Sequence, residues 1–344
     1  MVICRDLRPN VGFYTIMRAA ARLLVVGFAS SLELSVIKQS LHTLHRPPPG
    51  QKHFEVPARL EAAEEALRSS ALALSWRNGV NSTVVDVEGA VAALKRVHSI
   101  DHLRGVQDMS RSGGGGYDSD TYCAPGSWEA MLDGTRCWTE AAVLAAEGRG
   151  PALALCRPAG HHATRDVAMG FGLVNFAAAA AADALARGAG RVAILDWDVH
   201  HGNGVEAIFK GTEPRVKYCS LHEAGGFPGT GAAGVDGNVL NVVLPRGAGS
   251  AAYLEALERE ALPFLLGGGA PDLLLVCAGY DALADDPLAT MALSPADFGA
   301  SVALIRGAGV PPERIALGLE GGYLLDEAAG MPAALLATCA GLLA

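Results

Sequence analysis

The stretch Ile194-Leu195-Asp196-Trp197-Asp198-Val199-His200-His201-Gly202-Asn203-Gly204 limits what this chain can fold into more than any other. The apolar run 192–195 reads as a buried parallel strand, and it ends in two carboxylates and two imidazoles. Asp196, Asp198 and His200 alternate, so they point to one side for as long as the chain stays extended. Carboxylate oxygen and imidazole nitrogen together suit a divalent metal such as zinc. Charged groups crowded at the end of a buried strand cost free energy unless a cation or partner compensates them. Gly202 and Gly204 then permit a tight turn into the next segment.

The same kind of strand recurs. Apolar strands are expected at 152–156, 192–196, 216–221, 239–243, 273–277 and 315–319, with helices at 176–186, 204–209, 251–266 and 295–306 between them. Ahead of these, helical spacing marks 56–67, with Pro57 near its start, and an Ala-rich helix spans 128–147. The stretch 84–97 reads as a helix or a strand–helix pair, and the polar, Gly-rich 112–120 as a surface loop within one domain. A last helix is expected over 327–343. Strands alternating with helices indicate an α/β fold, a mostly parallel sheet with helices on both faces. In such folds sites gather beyond the carboxyl ends of the strands.

The polar clusters obey that rule. Arg157-Pro158-Ala159-Gly160-His161-His162 follows one strand, and Gly170-Phe171-Gly172 closes its loop. Ala278-Gly279-Tyr280-Asp281, with Asp285-Asp286-Pro287-Leu288, follows another, and Glu320-Gly321-Gly322-Tyr323 a third. Ser220-Leu221-His222 leads into the Gly-rich 227–231, which lacks the lysine spacing of a phosphate loop. Singly, each cluster has a plain structural reading: a polar contact for the histidine pair, a helix cap for Asp281, a turn for Gly-Gly-Tyr. Together they describe chemistry. Asp198, His200 and Asp281 give a three-ligand metal site with positions open for water and substrate. His161 and His162 offer a proton acceptor and donor, and Asp196 can fix the tautomer of one of them. Tyr323 can donate its hydroxyl to an oxyanion. Hydrolysis of an amide at a neutral carbonyl uses all of these.

With these motifs in view, the chain from about His45 onward resembles a zinc-dependent histone deacetylase of the class II type, in the superfamily shared with acetylpolyamine amidohydrolases. The resemblance implies an arginase-like three-layer fold with the active site at the carboxyl ends of the strands. It implies zinc on Asp198, His200 and Asp281, His162 as general base and acid, and His161 as an electrostatic partner paired to Asp196. The second histidine would pair with position 203, where this chain has Asn203, as class II members do. Tyr323 matches the carbonyl-polarising tyrosine. Phe171, beside Gly170, and Phe227 match the aromatic pair that encloses the acyl-lysine stem. A structural potassium would use Asp196, Asp198, His200, Ser220 and Leu221. The substrate-gripping loop aligns with 117–122, leaving Asp118, Ser119 or Asp120 as its polar position.

The resemblance also bears on substrate. Leu288 stands where polyamine-selective relatives carry an acid, whose charge-assisted contact would be worth on the order of 1–3 kcal/mol. An acetylated lysine in a protein or peptide is therefore the expected substrate, an acetylpolyamine the alternative in the same chemistry, and a silent acyl-lysine-binding scaffold the alternative from another class. A net charge of −9 gives no general electrostatic case for nucleic acid or an anionic membrane. Seven scattered cysteines, with no CxxC pair, read as reduced thiols of an intracellular protein. Residues 1–52 carry Arg5, Arg8, Arg18, Arg22, Lys38, Arg46 and Lys52 against Asp6 and Glu33, and residues 1–44 are the uncertain segment ahead of the domain. They read either as an organellar (mitochondrial or plastid) leader or as the first strand of the sheet at 23–28, leaving cytoplasm and nucleus open. The catalytic domain is expected over 45–344, and an oligomer is possible.

Overall fold

The structure, a computed structural model, describes residues 32–78 and 87–344. The chain begins with β1 (Leu34–Lys38), α1 (Ala58–Ser69), β2 (Leu74–Asn78), α2 (Val87–Val97) and α3 (Ile100–Arg111). The two-residue strands β3 (Gly115–Gly116) and β4 (Tyr122–Cys123) pair antiparallel and lead into α4 (Ser127–Ala146). Alternation follows: β5 (Ala152–Leu155), α5 (Phe176–Ala186), β6 (Val192–Asp196), α6 (Asn203–Phe209) and β7 (Val216–Glu223). After β8 (Gly234–Asp236) and β9 (Val239–Leu244), α7 (Ser250–Ala256) runs through a π turn at Leu257–Ala261 into α8 (Leu262–Leu266). Pro263, which has no amide proton to donate, sits where that ladder resets. β10 (Leu273–Ala278), α9 (Pro295–Gly307), β11 (Ile315–Leu319) and α10 (Met331–Leu343) complete the chain.

Nine strands form one sheet in the order β2-β1-β5-β11-β10-β6-β7-β9-β8. Every pairing is parallel except β8 on β9, at one edge. The central strands are apolar on both faces because both faces are covered. Leu153, Leu155, Ala193, Leu195, Leu274 and Val276 pack into one core with α1, α9 and α10. Ala152, Ala154, Val192, Ile194, Leu273 and Leu275 pack into a second with α2, α4 and α5. This is the expected three-layer arrangement. At roughly 1.5–3 kcal/mol per buried Leu, Ile or Val, such strands have no stable exposed register. Ala177–Ala181, fully buried along α5, let that helix lie close to its neighbours.

The strands expected from residue 152 onward are all present. The beginning of the chain differs. β1 lies ahead of His45, inside the stretch left open between leader and first strand, while residues 1–31, with the strand expected at 23–28, fall outside the described residues. β2 was not anticipated because Ser75 and Arg77 dilute its apolar pattern, which an edge strand tolerates. The last helix starts at Met331 rather than at 327. The Asp326 carboxylate takes the amides of Ala328 and Ala329 into a turn, and Pro332 fits the first helical turn. Among the described residues no helix is long and apolar enough to cross a membrane.

One contact fixes α4 to the sheet centre. The Trp138 ring packs against Gly318 of β11, so close that a Cβ there would come within 1.9 Å of it. Gly318→Ala should destabilise the protein by about 1–3 kcal/mol, the usual cost of overpacking a core. Urea denaturation measures this, and an unchanged midpoint would show that the ring can move aside.

Candidate active site

Because β5, β11, β10, β6 and β7 are neighbours and parallel, their carboxyl ends bring five loops to one edge of the sheet. β6 ends at Asp196, and the chain then bends through 197–201 instead of continuing the pleat. The three alternating residues therefore separate. Asp196 faces His161 and Tyr218, whereas Asp198 and His200 meet Asp281 from the β10 loop. One ligand atom from each of Asp198, His200 and Asp281 lies within 4.8 Å of the others. His200 Nδ1 is 3.0 Å from Asp198 Oδ1 and 3.1 Å from Asp281 Oδ2.

Backbone amides aim both carboxylates. Val199 N–H donates to Asp281 at 2.9 Å, while His200 and Gly321 N–H donate to Asp198 at 2.9 and 2.8 Å. Gly279 and Gly321 leave room for them: a Cβ at either would stand 2.3 or 2.0 Å from a carboxylate oxygen. Burial and the Asp198 charge push Asp281 up to about 7. Burial also works to raise Asp198, but His161 and His200 overcome it and hold that carboxyl well below its ordinary range.

The adjacent histidines differ sharply in environment. His161 Nδ1 is 2.9 Å from Asp196 Oδ2; burial works to lower its pKa, but Asp196 and Asp198 raise it to about 10. His162 is driven well below its ordinary value by burial, then by the charge of His161 and His200. Its Nδ1–H donates to Asn203 Oδ1 at 2.8 Å, and Asn203 Nδ2 is held by the His162 carbonyl and Met169 sulfur. His162 Nε2 is thereby left as the free acceptor.

Tyr323 stands on the β11 loop, its backbone amide bonded to Asp286 Oδ2 at 2.8 Å. The Arg59 guanidinium lies 4.6 Å from its ring centre. Burial raises the phenol well above its ordinary pKa, so it stays a hydrogen-bond donor. These groups meet at a cavity of ≈370 Å³ lined also by Gly170, Phe171, Phe227, Leu288 and 118–120. Phe171 packs edge-on to Tyr323 at 5.7 Å, and Phe227 edge-on to His162 at 4.9 Å. Phe171 takes φ +68°, a strained value for a bulky residue, and Gly170 leaves room for the His162 ring.

Other expected residues take different places. Asp118 turns its carboxylate back onto the amides of Asp120 and Thr121 while still lining the cavity, and beside it Ser119 and the exposed Asp120 stand at the rim with no such turn on their side chains. Ser220 and Leu221 are buried on β7, with Ser220 in register with Asp196. Several supporting residues escaped the sequence reading. Glu55 is ion-paired with Arg157 and Arg59 in a buried group, and Arg59 donates to the carbonyls of Glu320 and Gly322. Burial would raise Glu55, yet Arg157 and Arg59 hold it down at about 2. Glu320 accepts from the amides of Gly160 and His161, and Asn175 donates to the carbonyls of His161 and Ala163. The only signal in the sequence was a charged residue, Arg157, directly after an apolar strand.

A family model described as "Histone deacetylase domain" matches residues 53–339. A histone deacetylase-like amidohydrolase of Pseudomonas aeruginosa is 38% identical over 292 residues, 81% of this chain and 74% of its own length. Among solved structures, the HDA15 HD domain superposes with a TM-score of 0.79 at 32% identity, covering 90% of each chain. An acetylpolyamine aminohydrolase from Burkholderia pseudomallei superposes with a TM-score of 0.76 at 26% identity, covering 90% of this chain and 98% of its own. The arginase-like α/β architecture is shared with both. A family match over most of the chain, supported by a relative that covers four-fifths of it, makes this protein a member of the histone deacetylase family of amidohydrolases.

Proposed function

We propose that this protein is a zinc-dependent amidohydrolase that removes acetyl groups from lysine side chains of proteins or peptides. The observation that carries the reading is the meeting of the Asp198, His200 and Asp281 ligand atoms with His162 and Tyr323 at one aromatic-walled cavity. The donor set fits the metal: two carboxylates and one imidazole suit zinc and leave coordination positions open. Two carboxylates buried side by side, one of them pushed up to about 7, also favour a cation between them. Bound there, zinc would polarise the amide carbonyl and acidify the attacking water.

The chain's own residues supply the rest. His162, neutral and held by Asn203, takes the proton of the water on Nε2 and returns it to the leaving amine. His161, cationic beside Asp196, opposes the negative charge that develops nearby. Tyr323 donates its hydroxyl to the oxyanion. Phe171 and Phe227 enclose the methylene stem and exclude water. In the same reading Asp196, Asp198, His200, Ser220 and Leu221 would hold a potassium ion, a reading supported by the pairing of Asp196 with Ser220, and Asn203 favours the class II type.

Leu288 at the cavity wall, an apolar side chain, supports acyl-lysine as substrate. The exposed Asp120 carboxylate at the rim favours the second reading, an acetylpolyamine whose distal ammonium it would meet. Turnover of an acetyl-lysine peptide against acetylspermidine separates the two, and a strong polyamine preference would transfer the assignment. Tyr323→Phe should lower kcat by roughly 10²–10³, the scale of one lost oxyanion donor; steady-state kinetics near wild type would remove Tyr323 from the mechanism. Asp281→Ala should lose the metal, so a full zinc complement by elemental analysis would refute the ligand set. Chelation should abolish wild-type turnover and added zinc restore it.

A further inference from the structure

His201, next in sequence to His200, turns away from the cavity. It is 3% exposed, with Nε2 2.9 Å from Glu206 Oε2 and Nδ1 2.8 Å from the Thr230 hydroxyl. Glu206 also accepts from Asn241 at 2.8 Å and Lys210 at 3.1 Å, and the His201 hydrogen bond is the main cause that holds it at about 2. A carboxylate can only accept, so His201 donates from Nε2, and its Nδ1 shares a hydrogen bond with the Thr230 hydroxyl. His222 stacks obliquely on His201 with ring centres 4.8 Å apart. Its Nε2–H donates to the Gly231 carbonyl at 2.9 Å, and its Nδ1 receives the Ser220 hydroxyl at 3.0 Å. Two buried imidazoles thus grip consecutive residues of one loop, one by a side chain and the other by a carbonyl.

The fit is close. At Gly231, φ +80°, a Cβ would come within 2.6 Å of the His201 ring and 2.7 Å of His222 Nε2. The loop so held begins at the end of β7, and its inward residue is Phe227, edge-on to His162. Phe227 is 46% exposed and has no core of its own to hold it. Its place therefore depends on how its loop is held: by the hydrogen bonds at 230–231 together with the backbone bonds from Gly226 N–H to Glu223 O and from Gly229 N–H to Gly226 O.

We propose that His201, Glu206, Thr230 and His222 form a clamp that positions Phe227 at the cavity wall, with His201 and Thr230 as positioning residues for substrate binding rather than for bond cleavage. This rests on the reading of Phe227 as a wall for the substrate stem. The clamp reaches no reacting atom, and His162 is oriented separately by Asn203. Loss of the clamp should weaken ground-state and transition-state binding alike, which raises KM and leaves kcat in place.

The test compares His201→Phe, Thr230→Val and Thr230→Ser in the full-length zinc-loaded protein. Amide hydrogen exchange over 226–231 and kinetics on an acetyl-lysine peptide are read together. In His201→Phe and Thr230→Val, exchange over that loop should accelerate and KM rise by about tenfold each, the scale of one or two lost hydrogen bonds, with kcat within about twofold. Zinc content should be unchanged, and Thr230→Ser, which keeps the hydroxyl, should match wild type. Unchanged loop exchange in both variants overturns the clamp, and a fall in kcat at constant KM overturns its positioning role. A wild-type protein without acyl-lysine turnover would sink the functional reading, and the exchange data would then judge the clamp alone.

Discussion

Asp198 and Asp281 sit fully desolvated beside one imidazole, an arrangement that costs several kcal/mol per isolated ion unless charge and hydrogen bonds offset it. Much of the surrounding structure serves that need. Parallel strands deliver both carboxylates to one edge, amides of the following residues point at them, and glycines keep side chains out of their way. The two apolar cores keep these strands rigid, so the ligand atoms cannot drift apart to relieve their repulsion. A buried cluster of this kind keeps more of its electrostatic strength than an exposed one, because less solvent surrounds it to screen the charges.

The histidine pair shows how environment divides labour between identical side chains. His161 and His162 are neighbours, with ring centres 4.0 Å apart, yet one faces two carboxylates and the other an amide oxygen. Their proton affinities diverge in consequence, and only one is left as an acceptor. On the other side of the cavity, the buried Glu55–Arg157–Arg59 group does for the Tyr323 loop what Asp196 does for His161.

The site was legible in the sequence wherever a polar motif followed an apolar strand, because a strand buried on both faces has little choice of place. That logic picked out Asp198, His200, Asp281, the histidine pair and Tyr323 as candidates, and the fold brings them to one edge of the sheet. It failed where the cause is non-local or purely geometric. β1 and β2 are short and partly polar, and their strand character comes from pairing rather than pattern. Glu55 and Arg157 are 102 positions apart and meet only in the fold. Asp118 and Asp120 look equivalent until a local turn occupies one carboxylate. His201 had no visible task because both of its partners lie on other elements.

Arg59, in the first turn of α1, hydrogen-bonds carbonyls 261 and 263 positions later in the chain and stacks on Tyr323. Arg59 is therefore synthesised 261 positions ahead of the first of the carbonyls that it binds. Contacts of such long separation are slow to form, because the chain entropy of closing the loop is lost before they repay it. Until then Glu55 and Arg157 are joined only to earlier parts of the chain, Tyr122 and the carbonyls of His42 and His45, and the Tyr323 loop lacks the Arg59 brace. Completion of the candidate site is thus tied to the arrival of β11 and its loop, which makes it a late event in folding rather than a property of any earlier intermediate.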